Sequence, residues 1–133
     1  MRRAALVVAL VVLAACGSTA PTAYSVVQSY LTALGEGNYP NACAVLDQSA
    51  RASLHAPCAA TFTRCLANEA AAIARDQTQQ LYANINLTGS GNRTVAEVSG
   101  TAVARTVRKV TLADEHGNWR LTSPGQAFGR CRH

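Results

Sequence analysis

The chain has 133 residues and carries twelve Lys or Arg against seven Asp or Glu, a net charge of +5. This length suits one domain preceded by a leader, and seven aromatic residues allow only a light core. The charge is mild and unclustered, which argues against a nucleic-acid footprint, where basic residues gather among stacking aromatics.

The chain starts Met1-Arg2-Arg3 and continues without a charge from Ala4 to Ala15. A membrane-spanning helix needs about 20 apolar residues, so this run is too short to cross. It suits the apolar part of a secretory signal behind a basic start. Small residues then lead into a cysteine, Leu13-Ala14-Ala15-Cys16-Gly17. This resembles the lipobox of bacterial lipoproteins. The resemblance implies cleavage before Cys16, a diacylglyceryl thioether on its sulfur and an N-terminal amine open to acylation. Two acyl chains anchor a protein stably where one does not, at about 0.8 kcal/mol per buried methylene. The expected organisation is a lipoprotein signal peptide over residues 1–15, the lipidated cysteine and a tether over 16–23, and one domain over 24–133. The expected location is the extracytoplasmic face of the cell membrane. Loss of Arg2 and Arg3 leaves ten basic residues against seven acids, or +3.

Gly17 to Ala23 is small and polar, as a tether should be. Val26, Val27, Tyr30, Leu31 and Leu34 then recur at helical spacing, and Gly35 and Gly37 end the helix. Asn38-Tyr39-Pro40 opens a second short helix with proline in its first turn. This helix is expected to run on to Leu54 with an irregularity near Asp47. A third helix follows Pro57 over residues 58–75. Its apolar face holds Cys58, Phe62, Cys65, Leu66, Ala70 and Ile73, and its polar face holds Arg64, Asn68, Glu69, Arg75 and Asp76.

From Leu81 the period changes to two, with Leu81, Ala83, Ile85 and Leu87 on one side of a strand. Thr88 to Asn92 reads as a loop. A second strand is expected over 94–104, with a bulge at Ser99-Gly100 where the alternation slips. A third covers about 106–113, a turn follows at His116-Gly117-Asn118, and Trp119 and Leu121 face inward on a last strand. Helices followed by strands give an α+β class, with helices packed on one face of a curved antiparallel sheet.

Five cysteines leave one without an intramolecular partner, and Cys16 fills that role. Cys43, Cys58, Cys65 and Cys131 are expected to form two disulfides in an oxidising compartment. If residues 58–75 are helical, Cys58 and Cys65 lie about 10 Å apart along the axis, beyond the roughly 7 Å a disulfide allows. Cys43–Cys58 with Cys65–Cys131 is the pairing adopted; the crossed pairing stays open. A metal site using His55 and Cys58 matches no usual zinc spacing, and neither metal nor cofactor is expected.

The run A-Y-S-V-V-Q-S-Y-L-T-A-L-G-E-G-N-Y-P-N-A-C-A-V-L resembles the first two helices of nuclear transport factor 2-like domains. V-T-L-A-D-E-H-G-N-W-R-L, residues 110–121, resembles their final hairpin, where a tryptophan closes the cone. Actinobacterial lipoproteins of this type are similar in having a cysteine in the second helix and another some fifteen residues on. The resemblance spans about 23–123 and implies a cone-shaped, cystatin-like domain whose bent sheet wraps helices around a cavity.

Such a cone serves enzymes and binding modules alike, so its role must come from residues. Asp47 could reach a cavity mouth, although capping a helix is the simpler role. Glu97 would be a general base if it faced inward, because burial raises a carboxylate's pKa. A solvated, outward Glu97 is the simpler placement. No Ser–His–Asp ordering and no complete phosphate-binding loop occurs. Arg105, Arg108 and Lys109 are the densest basic cluster, but on a strand they would split between two faces. The expected role is non-catalytic: binding a small apolar ligand in the cone, or an envelope partner. The alternative is an isomerase-like or hydrolase-like enzyme with a carboxylate in the cone.

Overall fold

The first helix, α1, spans Ala23–Glu36 and is fixed at both ends. The Thr22 hydroxyl accepts from the Ser25 N–H at 3.1 Å, and Gly37 closes the other end at φ +74, a left-handed turn that favours glycine. Val27, Tyr30 and Leu34 on its inner face are almost fully buried. This computed structural model describes residues 21–55, 57–129 and 131. The expected leader, Cys16 and residues 17–20 of the tether lie outside the described residues, as do Ala56, Arg130, Arg132 and His133.

The second helix is shorter than its sequence suggests. α2 covers Tyr39–Ala44 and a separate α3 covers Gln48–Ala52. Residues 45–47 leave the helix because they pair with the end of the sheet. The Asp47 N–H donates to the Leu121 carbonyl at 2.8 Å, and the Leu121 N–H donates to the Val45 carbonyl at 2.9 Å.

The third helix is also divided, into α4 (Cys58–Cys65), a 3₁₀ turn (Ala67–Glu69) and α5 (Ala70–Thr78). Burial nevertheless keeps a helical spacing across this break, through Leu66, Glu69, Ile73 and Asp76. Ala70, expected inside, is exposed, and Asp76, expected on the polar face, is buried.

Four antiparallel strands then lie in the order β1-β2-β3-β4, namely Asn84–Ser90, Arg93–Ser99, Lys109–Glu115 and Asn118–Leu121. Ala96, Val98, Val110, Leu112 and Leu121 line the buried face, whereas Arg93, Glu97, Ser99 and Lys109 are exposed on the other. Trp119 is half-buried on the inner face beside the core. The expected start at Leu81 is three residues early. Leu81, Tyr82 and Leu87 are exposed, and only Ala83 and Ile85 are half-buried. The hairpin turn at His116-Gly117 has φ of +57 and +88, as a two-residue turn with both central residues left-handed requires.

A larger correction lies between β2 and β3. Residues expected to be strand form a helix, α6, over Ala102–Val107. Val and Thr favour strands, but capping hydrogen bonds, one local and one distant in sequence, decide here. Gly100 turns the chain at φ +96, the Thr101 hydroxyl accepts from the Ala104 N–H at 3.1 Å, and Asp76 accepts from the Ala102 N–H at 2.6 Å. The slip at Ser99-Gly100 is therefore the end of a strand rather than a bulge. Arg105 sits on this helix, Arg108 follows it and Lys109 opens β3, so the basic cluster does not share a strand.

The centre of the core is aromatic. Phe62 meets Phe128 edge-on at 4.9 Å between ring centroids, Tyr30 at 6.1 Å and Tyr39 at 6.0 Å. The Tyr30 hydroxyl donates to the buried Pro124 carbonyl at 2.6 Å. Both expected disulfides are present, Cys43–Cys58 and Cys65–Cys131, with Cα separations of 6.0 and 5.5 Å. They close loops of 15 and 66 residues, which the chain-entropy relation values at about 3 and 4 kcal/mol.

Burial pushes the Tyr30 hydroxyl well above the ordinary phenol range. An unfolded tyrosine loses its proton near pH 10, while the folded one holds it. Stability from this group is therefore complete below about pH 10 and declines as pH rises beyond it. Tyr30→Phe should cost about 1–3 kcal/mol at neutral pH by leaving the Pro124 carbonyl unpaired. It should also flatten the alkaline loss of stability, as urea unfolding across that pH range will show.

Candidate functional site

An open cleft of about 620 Å³ runs between α1, α5, the segment leading into β1 and the start of α6. One stripe of α1 forms its wall: Tyr24, Gln28, Leu31, Thr32, Gly35 and Glu36, at the three-to-four residue spacing of a helix face. Ile73, Ile85 and Val103 supply further apolar surface, while Gln77, Gln80 and Thr101 supply polar groups. The Gln77 amide donates to the Gly35 carbonyl and ties α5 to α1. Asp76 lies among these residues, and its carboxylate oxygen takes the Ala102 N–H. A single side chain thus belongs to the cleft and also fixes the helix that borders it.

The residues singled out from sequence lie elsewhere. Asp47 is the N-cap of α3, accepting from the Ala50 N–H at 2.7 Å. It lines a shallow groove with Gln48, Arg51, Glu115 and Arg120, separate from the cleft. Glu97 is exposed on the outer face of the sheet, between Asn86 of β1 and Lys109 of β3. The structure brings neither carboxylate into the cleft, nor the two together. Cys58 is bonded to Cys43 and its sulfur is not available to a metal with His55. Among the described residues no group of three His, Cys, Asp or Glu is placed to hold a metal ion.

Asp76 is the site residue that sequence reasoning missed. Arg75 and Gln77 beside it are exposed, but Asp76 lies three residues after Ile73 on the inner side of α5. The three-residue spacing from Ile73 is the signal that could have found it, overridden in the sequence reading by the charge of the side chain.

Comparison of this chain with protein-family models, with curated proteins and with solved structures finds no match. The reading of the cleft therefore rests on its own chemistry. Aliphatic walls interrupted by amides and hydroxyls, with Glu36 and Asp76 as the charged groups, suit a ligand with an apolar body and an uncharged polar end rather than an anion. Among the described residues no His, Cys, Lys or Arg lines this cleft.

If Asp76 chiefly holds α6 in place, Asp76→Ala should cost about 1–3 kcal/mol by orphaning the buried Ala102 N–H. Glu97→Gln, on an exposed strand face, should stay within about 0.5 kcal/mol of the parent. Paired denaturant titrations will compare the two, and the reverse ranking would remove Asp76 from this role.

Proposed function

We propose that this protein is an exported lipoprotein, anchored on the extracytoplasmic face of the cell membrane through Cys16, whose folded domain binds a small, largely apolar ligand without transforming it. The observation that carries the binding role is the open cleft beside α1, apolar along its walls and dotted with amides, hydroxyls and the carboxylates of Glu36 and Asp76. Anchoring is supported by cysteine arithmetic. Four of five cysteines are bonded to one another, which leaves Cys16 as the odd member, behind a basic and apolar start.

We further propose that the α+β domain is a cone of the nuclear transport factor 2-like kind. Supporting this are the order of helices before an antiparallel meander, the burial of α1 in the core and the half-buried Trp119 on the closing hairpin. The cleft lies at the side of this core, because Tyr30, Phe62 and Phe128 occupy its middle. The alternative, an isomerase-like or hydrolase-like enzyme, would draw on Asp47 or Glu97. One caps a helix and the other is solvated, so the binding role has the better support.

Thr32 is exposed on the cleft wall, where a large side chain can enter without disturbing the core. The purified protein should bind an environment-sensitive fluorescent fatty alcohol saturably, and native mass spectrometry should detect the complex. Thr32→Trp should weaken that binding by about tenfold or more while leaving thermal unfolding unchanged. No saturable binding by the parent, or equal binding by the plugged variant, would remove the cleft as the ligand site.

A further inference from the structure

The chain has two long segments without a charged residue, 4–35 and 77–92. They are far apart in sequence, yet the fold brings them to the same cleft. From the first come Tyr24, Gln28 and Leu31, and from the second Gln80, Leu81 and Tyr82. At the rim, Tyr24 is 45 % exposed, Leu81 48 % and Tyr82 82 %. A solitary exposed hydrophobe needs no explanation. Three on one uncharged rim form a patch of the kind that marks an interaction surface. The display is built rather than loose: Gln80 turns the chain at φ +54, and the Leu81 N–H donates to the Asp76 carbonyl at 3.0 Å.

What covers this rim follows from where the chain outside the structure leads. Tyr24 stands in the first turn of α1, and the residues before it run back to Cys16. Eight residues extend at most about 28 Å, so the rim sits within one tether length of the anchored sulfur. Tyrosine, with an apolar ring and a polar hydroxyl, collects where acyl chains meet headgroups. Glu36 lines the cleft at the opposite end of α1 from Tyr24, and Asp76 has its carboxylate on a backbone N–H. Neither has to enter the apolar zone.

We infer that Tyr24, Leu81 and Tyr82 dock on the interfacial region of the phospholipid bilayer, so that the cleft opens at the membrane surface and takes its ligand from there. This rests on the lipid anchor proposed above. A contact too weak to hold a free protein suffices, because a short tether keeps the rim at an effective concentration on the order of millimolar.

The test uses the full chain processed by a bacterial host, with the lipid on Cys16 verified by intact mass. It is reconstituted in phosphatidylethanolamine–phosphatidylglycerol vesicles with brominated acyl chains. A tryptophan reporter goes to the rim in Tyr82→Trp or to the outer sheet face in Glu97→Trp, both at exposed positions. Docking predicts that the rim reporter is quenched about twofold or more above the sheet reporter. Leu81→Asp introduced beside the rim reporter should abolish that difference while the protein still floats with the vesicles. Equal quenching of the two reporters in protein that carries lipid and floats overturns the docking and leaves the anchor standing. A chain that carries no lipid and fails to float overturns the anchor, and the docking with it.

Discussion

An eight-residue helix is too short to persist in water by its own hydrogen bonds, and α4 is held by a covalent bond at each end. Cys58 at its start reaches back to α2 through Cys43, and Cys65 at its end reaches forward to Cys131. Between them Phe62, fully buried, meets Tyr30, Tyr39 and Phe128. The helix therefore joins α1, α2 and the 3₁₀ turn at Gln126–Gly129 around one ring. In a chain with seven aromatic residues, four of them concentrated here are a large share of the available packing, each pair adding about 0.5–1.5 kcal/mol beyond area burial.

This arrangement decides where a binding site can be. The aromatic cluster and the leucines around it fill the space between α1 and the inner face of the sheet. Any cleft must then lie beside the core, and it does, on the side where α5 and α6 approach α1. That side depends on one carboxylate. Asp76 takes the first N–H of α6, a helix of six residues that ends at Arg108 with φ +63. Asp76 thus does for α6 what the disulfides do for α4, with a charged hydrogen bond in place of a covalent one.

Sequence patterns reported what repeats and missed what is set by contact. α1 follows from a five-residue apolar stripe closed by glycine, and the last hairpin follows from His116-Gly117 between alternating runs. Both are local. The disulfide pairing was legible in part: helix spacing ruled out Cys58 with Cys65 and left two pairings, of which the structure has Cys43–Cys58 with Cys65–Cys131. The inference survived although that helix is broken, since α4 alone spans both cysteines. Three features were not legible. The exit at Val45–Asp47 is imposed by Leu121, distant in sequence. The burial of Asp76 is stabilised by its bond to the Ala102 N–H, distant in sequence, which offsets the cost of enclosing a carboxylate. In α6, β-branched residues are overruled by capping bonds from Thr101 and Asp76. The cleft inherits this blindness, because its walls come from elements whose ends and packing are set by those contacts.

The most direct measurement is mass-spectrometric mapping of the linked peptides in a non-reduced proteolytic digest of the membrane-extracted protein. The account predicts one crosslinked pair joining Cys43 to Cys58, another joining Cys65 to Cys131, and a Cys16 peptide heavier by a diacylglyceryl group. Linkage of Cys43 to Cys65 with Cys58 to Cys131, or alkylatable thiols at those four positions, would contradict it. α4 would then not be held as described, and the core and cleft built around it would lose their basis.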